Sequence, residues 1–417
     1  MFKKFRNFIL FMLFIASFIN YIDRAALSIV APYVSKEFNL TAADMGLIFS
    51  SFFIGYALFN FVGGYLSDVL GPKKTFGISM SFWSLFGGLT AGTFNFTSLY
   101  VVRVLFGLGE GPIGSSNNKA INNWFPASER ARAVGISTGG MSLGAALTGP
   151  IIGFLALKFG WRIPFIIIML LGFAWTAIWL KYAADSPEKS KFVSETEKKE
   201  IISGQITEST VSNTVSLKYF LKQPTILATA MGFFASNYIL YFFLTWFPSY
   251  LVMEQGLSVK NMAIVSAIPW LVGFFGQVGG GFISDFVYKK TGRLMFSRKL
   301  VIVVCLFGAA LGVCTSTLAN SVTIAVWLMS LTIFCQYLTT SNYWAIIQDA
   351  VQGKNVGGVG GFVHCISNLA GIIGPAATGF IVEFSGNFNA AFLLAGILAV
   401  VAGLAVAFGV KPIKDIA

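Results

Sequence analysis

Asn20-Tyr21-Ile22-Asp23-Arg24 sets an acid beside a base inside a segment that is otherwise apolar from Phe8 to Val30. Ionisable groups at membrane depth cost from about 3 to more than about 10 kcal/mol, depending on how the cost is measured. A chain that keeps them uses them to move ions or charged solutes. A second segment, Leu99 to Asn118, carries Arg103 and Glu110 in the same way. Helical spacing puts Ser17, Asn20, Tyr21, Arg24 and Ser28 on one stripe, and Arg103, Gly107, Glu110 and Gly114 on another. At a rise of about 1.5 Å per residue, Arg24 and Arg103 share a depth roughly 6–7 Å outside the midplane, and Glu110 lies near the middle. Two guanidiniums at one depth suit a carboxylate, which they grip with paired, charge-assisted hydrogen bonds. Asp23 is turned about 100° from Arg24 and is expected to face a neighbouring helix. Asp23 and Glu110 are read as the proton-coupling residues. The competing reading makes the Arg–Glu pairs internal struts.

These side chains need helices that cross a bilayer, and the composition supplies them. The chain has 417 residues, 56% hydrophobic and 11% charged, where soluble domains average about 25% charged. Apolar windows of about 20 residues recur near 8–30, 46–67, 76–93, 97–118, 134–156, 163–182, 225–250, 262–284, 300–318, 322–346, 357–381 and 389–410. The expected fold is therefore an all-α polytopic membrane protein of twelve transmembrane helices in two six-helix bundles. The expected boundaries are 1–182 and 224–417, joined by a cytoplasmic linker over 183–223 that carries a short amphipathic helix.

A formal net charge of +12 does not indicate nucleic acid, because its distribution is topological. Lys3, Lys4, Arg6, Lys73, Lys74, Arg130 and Arg132 share one side with the linker lysines and with Lys289, Lys290, Arg293, Arg298, Lys299, Lys354, Lys411 and Lys414. Only Lys36, Lys158, Arg162 and Lys260 fall opposite. The positive-inside rule then places both termini in the cytoplasm, consistent with a bacterial inner membrane. The four cysteines all lie in expected spans and imply no disulfide framework. The first span is too long, and too polar near its outer end, for a cleaved signal peptide. No zinc, phosphate-loop or nucleophile-elbow pattern is present, so no enzyme, cofactor or metal is expected.

Sliding the second half by 217 residues brings Asn20-Tyr21-Ile22 onto Asn237-Tyr238-Ile239, Gly63-Gly64 onto Gly280-Gly281, and Ser67-Asp68 onto Ser284-Asp285. A six-helix unit duplicated in the same orientation is the parallel repeat of major-facilitator transporters, whose solute site lies between the halves near midplane. Asp23 and Arg24 correspond to Leu240 and Tyr241. Charge chemistry therefore belongs to the first half, and aromatic and neutral polar contacts to the second.

The loop Gly64-Tyr65-Leu66-Ser67-Asp68-Val69-Leu70-Gly71-Pro72-Lys73-Lys74 resembles the facilitator-superfamily signature. In this reading Gly64 admits a neighbouring helix, and Asp68 faces another helix's N-terminus. Together with Gly71, Lys73 and Lys74 they form a conformational latch. NYIDRAALSIVAP, RVLFGLGEGPIGSSNN, NNWFPASERARAVG and FFLTWFPSYL resemble the anion:cation symporter branch of that superfamily, along essentially the whole chain. The branch includes bacterial hexuronate, glucarate and galactonate carriers. The resemblance implies proton-coupled movement of a small organic anion; uptake into the cell, by a monomer, is the expected arrangement. The same resemblance implies that Arg24 and Arg103 bind the substrate, Asp23 and Glu110 carry protons, Tyr21 and Tyr56 line the cavity, and Ser341, Tyr343 and Trp344 face it from the tenth span. Two positions depart from the pattern: Met141 stands where sugar-acid carriers often have Gln, and His364, the only histidine, where Asn is aligned. His364 is either a cavity ligand or a packing residue. Lys119 is expected to snorkel to the interface. Efflux or antiport of an anion, and an anion sensor, are the alternative functions.

Overall fold

The computed structural model describes residues 4–204, 216–351 and 355–412. Lys3, Lys354, Lys414 and the linker stretch 205–215 lie outside the described residues. Every regular element among them is helical. By contacts the chain divides into two units, one comprising Met1–Leu40 with Ser51–Ser209, the other Thr41–Ser50 with Thr210–Ala417.

The first unit contains α1 (Phe5–Phe38), most of α2 (Ala42–Val69), α3 (Pro72–Leu89), α4 (Phe96–Glu110), α5 (Ile113–Trp124), α6 (Ala127–Phe159), α7 (Ile163–Tyr182) and the linker helix α8 (Glu195–Ser203). The second contains the first turns of α2 with α9 (Leu217–Leu221), α10 (Pro224–Met253), α11 (Val259–Val265), α12 (Ala267–Thr291), α13 (Leu294–Thr315), α14 (Val322–Ala350), α15 (Asn355–Ser385) and α16 (Asn389–Gly409). Ten of these segments are long and apolar enough to cross a membrane unaided. The more polar α3 and the α4–α5 pair complete the twelve spans expected from the windows.

The fourth span is not one straight helix. It stops at Glu110 and restarts at Ile113, because Pro112 has no N–H to donate and its ring clashes with the carbonyl four residues earlier. The stripe from Arg103 to Gly114 is therefore interrupted directly after Glu110. Ahead of the break, α4 and α2 touch backbone to backbone. A Cβ on Gly107 would collide with the Phe52 carbonyl, and one on Gly55 with the Val104 carbonyl. Small residues at both surfaces are what permit such an approach between membrane helices.

Local chemistry also explains the signature loop. Gly71 has φ +82° and directly precedes Pro72, the first residue of α3; only glycine takes such a φ without strain. The Asp185 carboxylate sits where a Gly71 side chain would go and accepts the Lys73 N–H at 3.0 Å. The carboxylate serving a helix N-terminus here is thus Asp185, whereas Asp68 accepts from Lys119 at 2.7 Å. Lys119 is accordingly an ion-pair partner of Asp68, with both side chains partly exposed. No described atom lies within 4 Å of a Cβ at Gly64; its neighbour Gly63 abuts Pro112. The second copy repeats this: Gly281 is open, Gly280 abuts the Leu338 backbone, and Asp285 accepts from Arg298 at 2.7 Å. Lys73 is half-buried and Lys74 exposed.

Candidate anion-binding and proton-coupling site

In the first unit, α1, α2 and α4 bring the charged residues together. The Arg24 guanidinium donates through Nη2 at 2.6 Å and Nε at 3.2 Å to a single oxygen, Oε2 of Glu110. Glu110 has no exposed surface, and its other oxygen lacks a well-formed hydrogen bond, with the Asn20 side chain as its neighbour. Asn20, one turn before Arg24 on α1, is buried, and both its amide atoms lack a well-formed hydrogen bond. The Arg24 guanidinium also lies over three aromatic rings: Tyr56 at 4.8 Å, Phe52 at 4.9 Å and Tyr21 at 5.2 Å. Tyr21 and Tyr56 are thus two of the ring faces around Arg24.

Arg103 differs from Arg24. It is 3% exposed, makes no ion pair or hydrogen bond among the described residues, and its Nε is buried without an acceptor. Its guanidinium carbon lies 5.1 Å from the Phe52 ring centre and 4.8 Å from that of Phe106. Phe52 therefore contacts both arginines, and the glycine-lined crossing of α2 and α4 is what presses it there. Cation–π contact compensates a buried cation only in part. An unpaired guanidinium removed from water is electrostatically primed for an anion.

Asp23 faces α3, as its helical angle predicts. A Cβ built on Gly87 would lie 3.5 Å from its Oδ1, and its other oxygen lacks a well-formed hydrogen bond, the Trp83 indole being the donor beside it. Asp23 and Glu110 are thus both buried carboxylates within electrostatic reach of Arg103, and Glu110 in addition bonds directly to Arg24.

The second unit offers aromatic and neutral groups. At the position equivalent to Arg24, the Tyr241 hydroxyl donates to Asn368 Oδ1 at 2.8 Å. Tyr343 is fully buried, stacked on Phe233 at 4.8 Å with its hydroxyl 2.8 Å from Ser236 Oγ. It holds α10 against α14 and presents no free hydroxyl. Trp344 is 38% exposed and lies 5.8 Å from the partly exposed His364 ring; Phe233 packs against both. Ser341 is exposed on α14. No group of three or more His, Cys, Asp or Glu among the described residues could hold a metal ion.

Sequence reasoning singled out the charged residues but missed Phe52, Phe106 and the Arg103-against-Arg24 difference. With 43 phenylalanines in the chain, none is distinguishable by type, and pairing is a property of three dimensions. Gly55 and Gly107, spaced to face one another, were the available signal.

The chain matches the Major Facilitator Superfamily over residues 13–297 and 291–415. It is 50% identical to the hexuronate transporter of Bacillus subtilis (strain 168), over 99% of this chain and 96% of that one. It is 35% identical to the probable galactarate/D-glucarate transporter GarP of Escherichia coli (strain K12), over 98% and 95% of the two chains. A D-xylose–proton symporter of known structure shares its fold with a TM-score of 0.75 at 16% identity, over 97% and 98% of the two chains. The duplicated six-helix pattern, the signature loop and these matches agree that the chain is a transporter, not an enzyme, and that it belongs to the major facilitator superfamily.

Proposed function

We propose that this protein is a proton-coupled symporter that carries a small sugar acid, of the hexuronate kind, into the cell across a bacterial inner membrane. The observation that carries the reading is Arg103: a cation removed from water and in direct contact with no carboxylate, beside an Arg24 that is hydrogen-bonded to the protonatable Glu110. The hexuronate transporter at 50% identity and the galactarate/D-glucarate transporter at 35% support a sugar-acid cargo, since the acids in their names pair a carboxylate with hydroxyls.

In the proposed cycle a proton on Glu110 dissolves its ion pair, and Arg24 then joins Arg103 in gripping the substrate carboxylate. A proton on Asp23 removes the remaining negative charge near them. When the protons leave, Glu110 competes again for Arg24 and the substrate is expelled. Tyr21 and Tyr56 flank the grip. In the second unit Ser341, Trp344 and His364 offer hydroxyl, indole and imidazole groups for substrate hydroxyls, and Tyr343 supports Trp344 and His364 through Phe233. Gly64, Asp68, Gly71, Lys73 and Lys74 belong to the proposed latch, in which the Asp68–Lys119 and Lys73–Asp185 contacts set the loop's shape.

The test is uphill uptake of D-glucuronate into proteoliposomes under an inward proton gradient. The wild type should accumulate it and Arg103→Ala should lose both accumulation and D-glucuronate binding. Accumulation by Arg103→Ala at the wild-type level overturns the reading.

A further inference from the structure

The buried tryptophans of the first unit follow one rule, with one exception. The indole N–H groups of Trp124, Trp161, Trp175 and Trp179 donate to Ala184 O, Glu37 Oε2, Met12 O and Lys73 O at 2.6–3.0 Å. Trp83, on α3 and wholly buried, lacks a well-formed hydrogen bond, and the acceptor its indole N–H meets is the Asp23 carboxylate. Beside it lies a carboxylate oxygen in the same condition, Oδ2 of Asp23. A buried donor and a buried acceptor left facing one another without a well-formed bond call for a reason, because each has given up water for nothing.

The surroundings fix this pairing. Gly109, the residue before Glu110, is so close that a Cβ there would stand 2.7 Å from the Trp83 backbone nitrogen and 2.8 Å from its Cα and Cβ. The start of the Trp83 side chain is therefore held against the same turn of α4 that carries Glu110. One helical turn along the same face of α3, Gly87 leaves the space that the Asp23 carboxylate faces. The ring itself packs on Phe76 with centres 6.5 Å apart.

We propose that Trp83 is a positioning residue for proton coupling: its indole N–H donates to Asp23 once the carboxyl proton has left for water, and holds the carboxylate until the next proton arrives. The inference rests on the reading of Asp23 as a coupling residue. The indole proton stays on its nitrogen throughout; only the carboxyl O–H bond breaks and reforms. The charged groups that face Asp23 are Arg103 and Glu110, both on α4. On α2, Tyr56 is directed to Arg24, and on α5, Lys119 is paired with Asp68. The stretches 133–157 of α6 and 163–180 of α7 contain no ionisable side chain. Trp83 is thus the donor that α3 contributes.

Trp83→Phe keeps an aromatic ring against Phe76 and removes only the N–H. Proton-driven uptake of D-glucuronate into proteoliposomes, measured across a series of external pH values, should keep its shape but move to the alkaline side. The displacement should be about one pH unit, a tenfold gain in proton affinity on losing one hydrogen bond to a charged group. Equilibrium exchange of D-glucuronate, which needs no proton release, should persist and so shows that the variant is folded. Adding Trp83→Phe to Asp23→Asn should shift nothing further. An unmoved profile in Trp83→Phe, or an equal shift in both backgrounds, overturns the proposal. If Asp23→Asn alone retains the wild-type pH dependence, the coupling reading of Asp23 falls first, and the role of Trp83 with it.

Discussion

At the scale of single residues, the decisive asymmetry is that Glu110 spends one oxygen on both Arg24 bonds while Arg103 makes no direct ion pair and feels Glu110 and Asp23 only at a distance. Removing one member of a buried pair leaves the other charge exposed to a low dielectric, which is costly unless something replaces it. In Glu110→Gln the partner lost by Arg24 can be replaced by the substrate carboxylate. We therefore expect Glu110→Gln to bind D-glucuronate at least as tightly as the wild type and to exchange it across the membrane. Uphill accumulation under a proton gradient should be lost, because no proton now governs the competition for Arg24. Isothermal titration together with proteoliposome uptake separates the two outcomes, and unimpaired accumulation would refute the coupling role. The four charged residues were legible in the sequence because ionisable side chains at membrane depth are rare and therefore conspicuous. Trp83 and Phe52 were not: aromatic residues in membrane helices usually fill lipid-facing or packing positions, and only the neighbours reveal the exception.

At the scale of elements, the linker helix α8 is more than a spacer. The Glu197 carboxylate is buried and accepts the backbone N–H of Phe5 at 2.8 Å and of Arg6 at 2.9 Å. These are orphan donors of the first turn of α1, which has no cap from its own preceding residue. The buried Arg6 guanidinium adds bonds to Glu200 at 2.7 Å and to Glu129, in the first turn of α6, at 3.2 Å. One helix outside the membrane thereby fastens the ends of two spans. Glu197→Ala should lower stability by about 1–2 kcal/mol, the usual loss for a helix cap, read as a lower melting temperature in detergent. Hydrogen bonds from Lys4 and Arg6 hold the Glu200 carboxyl below the usual carboxylate range. Its contribution is accordingly present above the ordinary carboxylate pKa and fades as pH falls through the lowered value. An amphipathic linker helix was readable from alternating charges, but not its docking, since Glu197 and Glu200 look like any solvated pair until α1 is placed beside them. Likewise Pro112 was visible in the sequence, but the apolar window continued across it and hid the break.

At the scale of the whole molecule, the duplication and the charge distribution make one testable statement about topology. The repeat carries over to structure where backbones meet, at Gly63 and Gly280, and it diverges at Arg24 and Tyr241, where charge gives way to a hydroxyl bonded to Asn368. Within the first unit, the bonds from Phe5 and Arg6 to Glu197 put the amino-terminal end of α1 and the linker on one side. Glu37, at the other end of α1, accepts from Arg162 at 2.7 Å and from Trp161 at 2.6 Å, ahead of α7. Lysines cluster at the first end, and the few outlying basic residues at the second. From the positive-inside bias we expect the lysine-rich end to be cytoplasmic. A cysteine introduced at the half-exposed linker residue Ser190, as Ser190→Cys, should then react with a membrane-impermeant maleimide only after cells are opened. Lys260→Cys, at the exposed start of α11 in the second unit, should react in intact cells. Four native cysteines lie in the spans, so each measurement is read against the parent chain with those four replaced by serine or alanine. Labelling of Ser190→Cys in intact cells, with Lys260→Cys protected, would invert the topology. It would also reverse the direction in which a proton gradient drives the anion, since the face that loads protons and substrate would then be the cytoplasmic one.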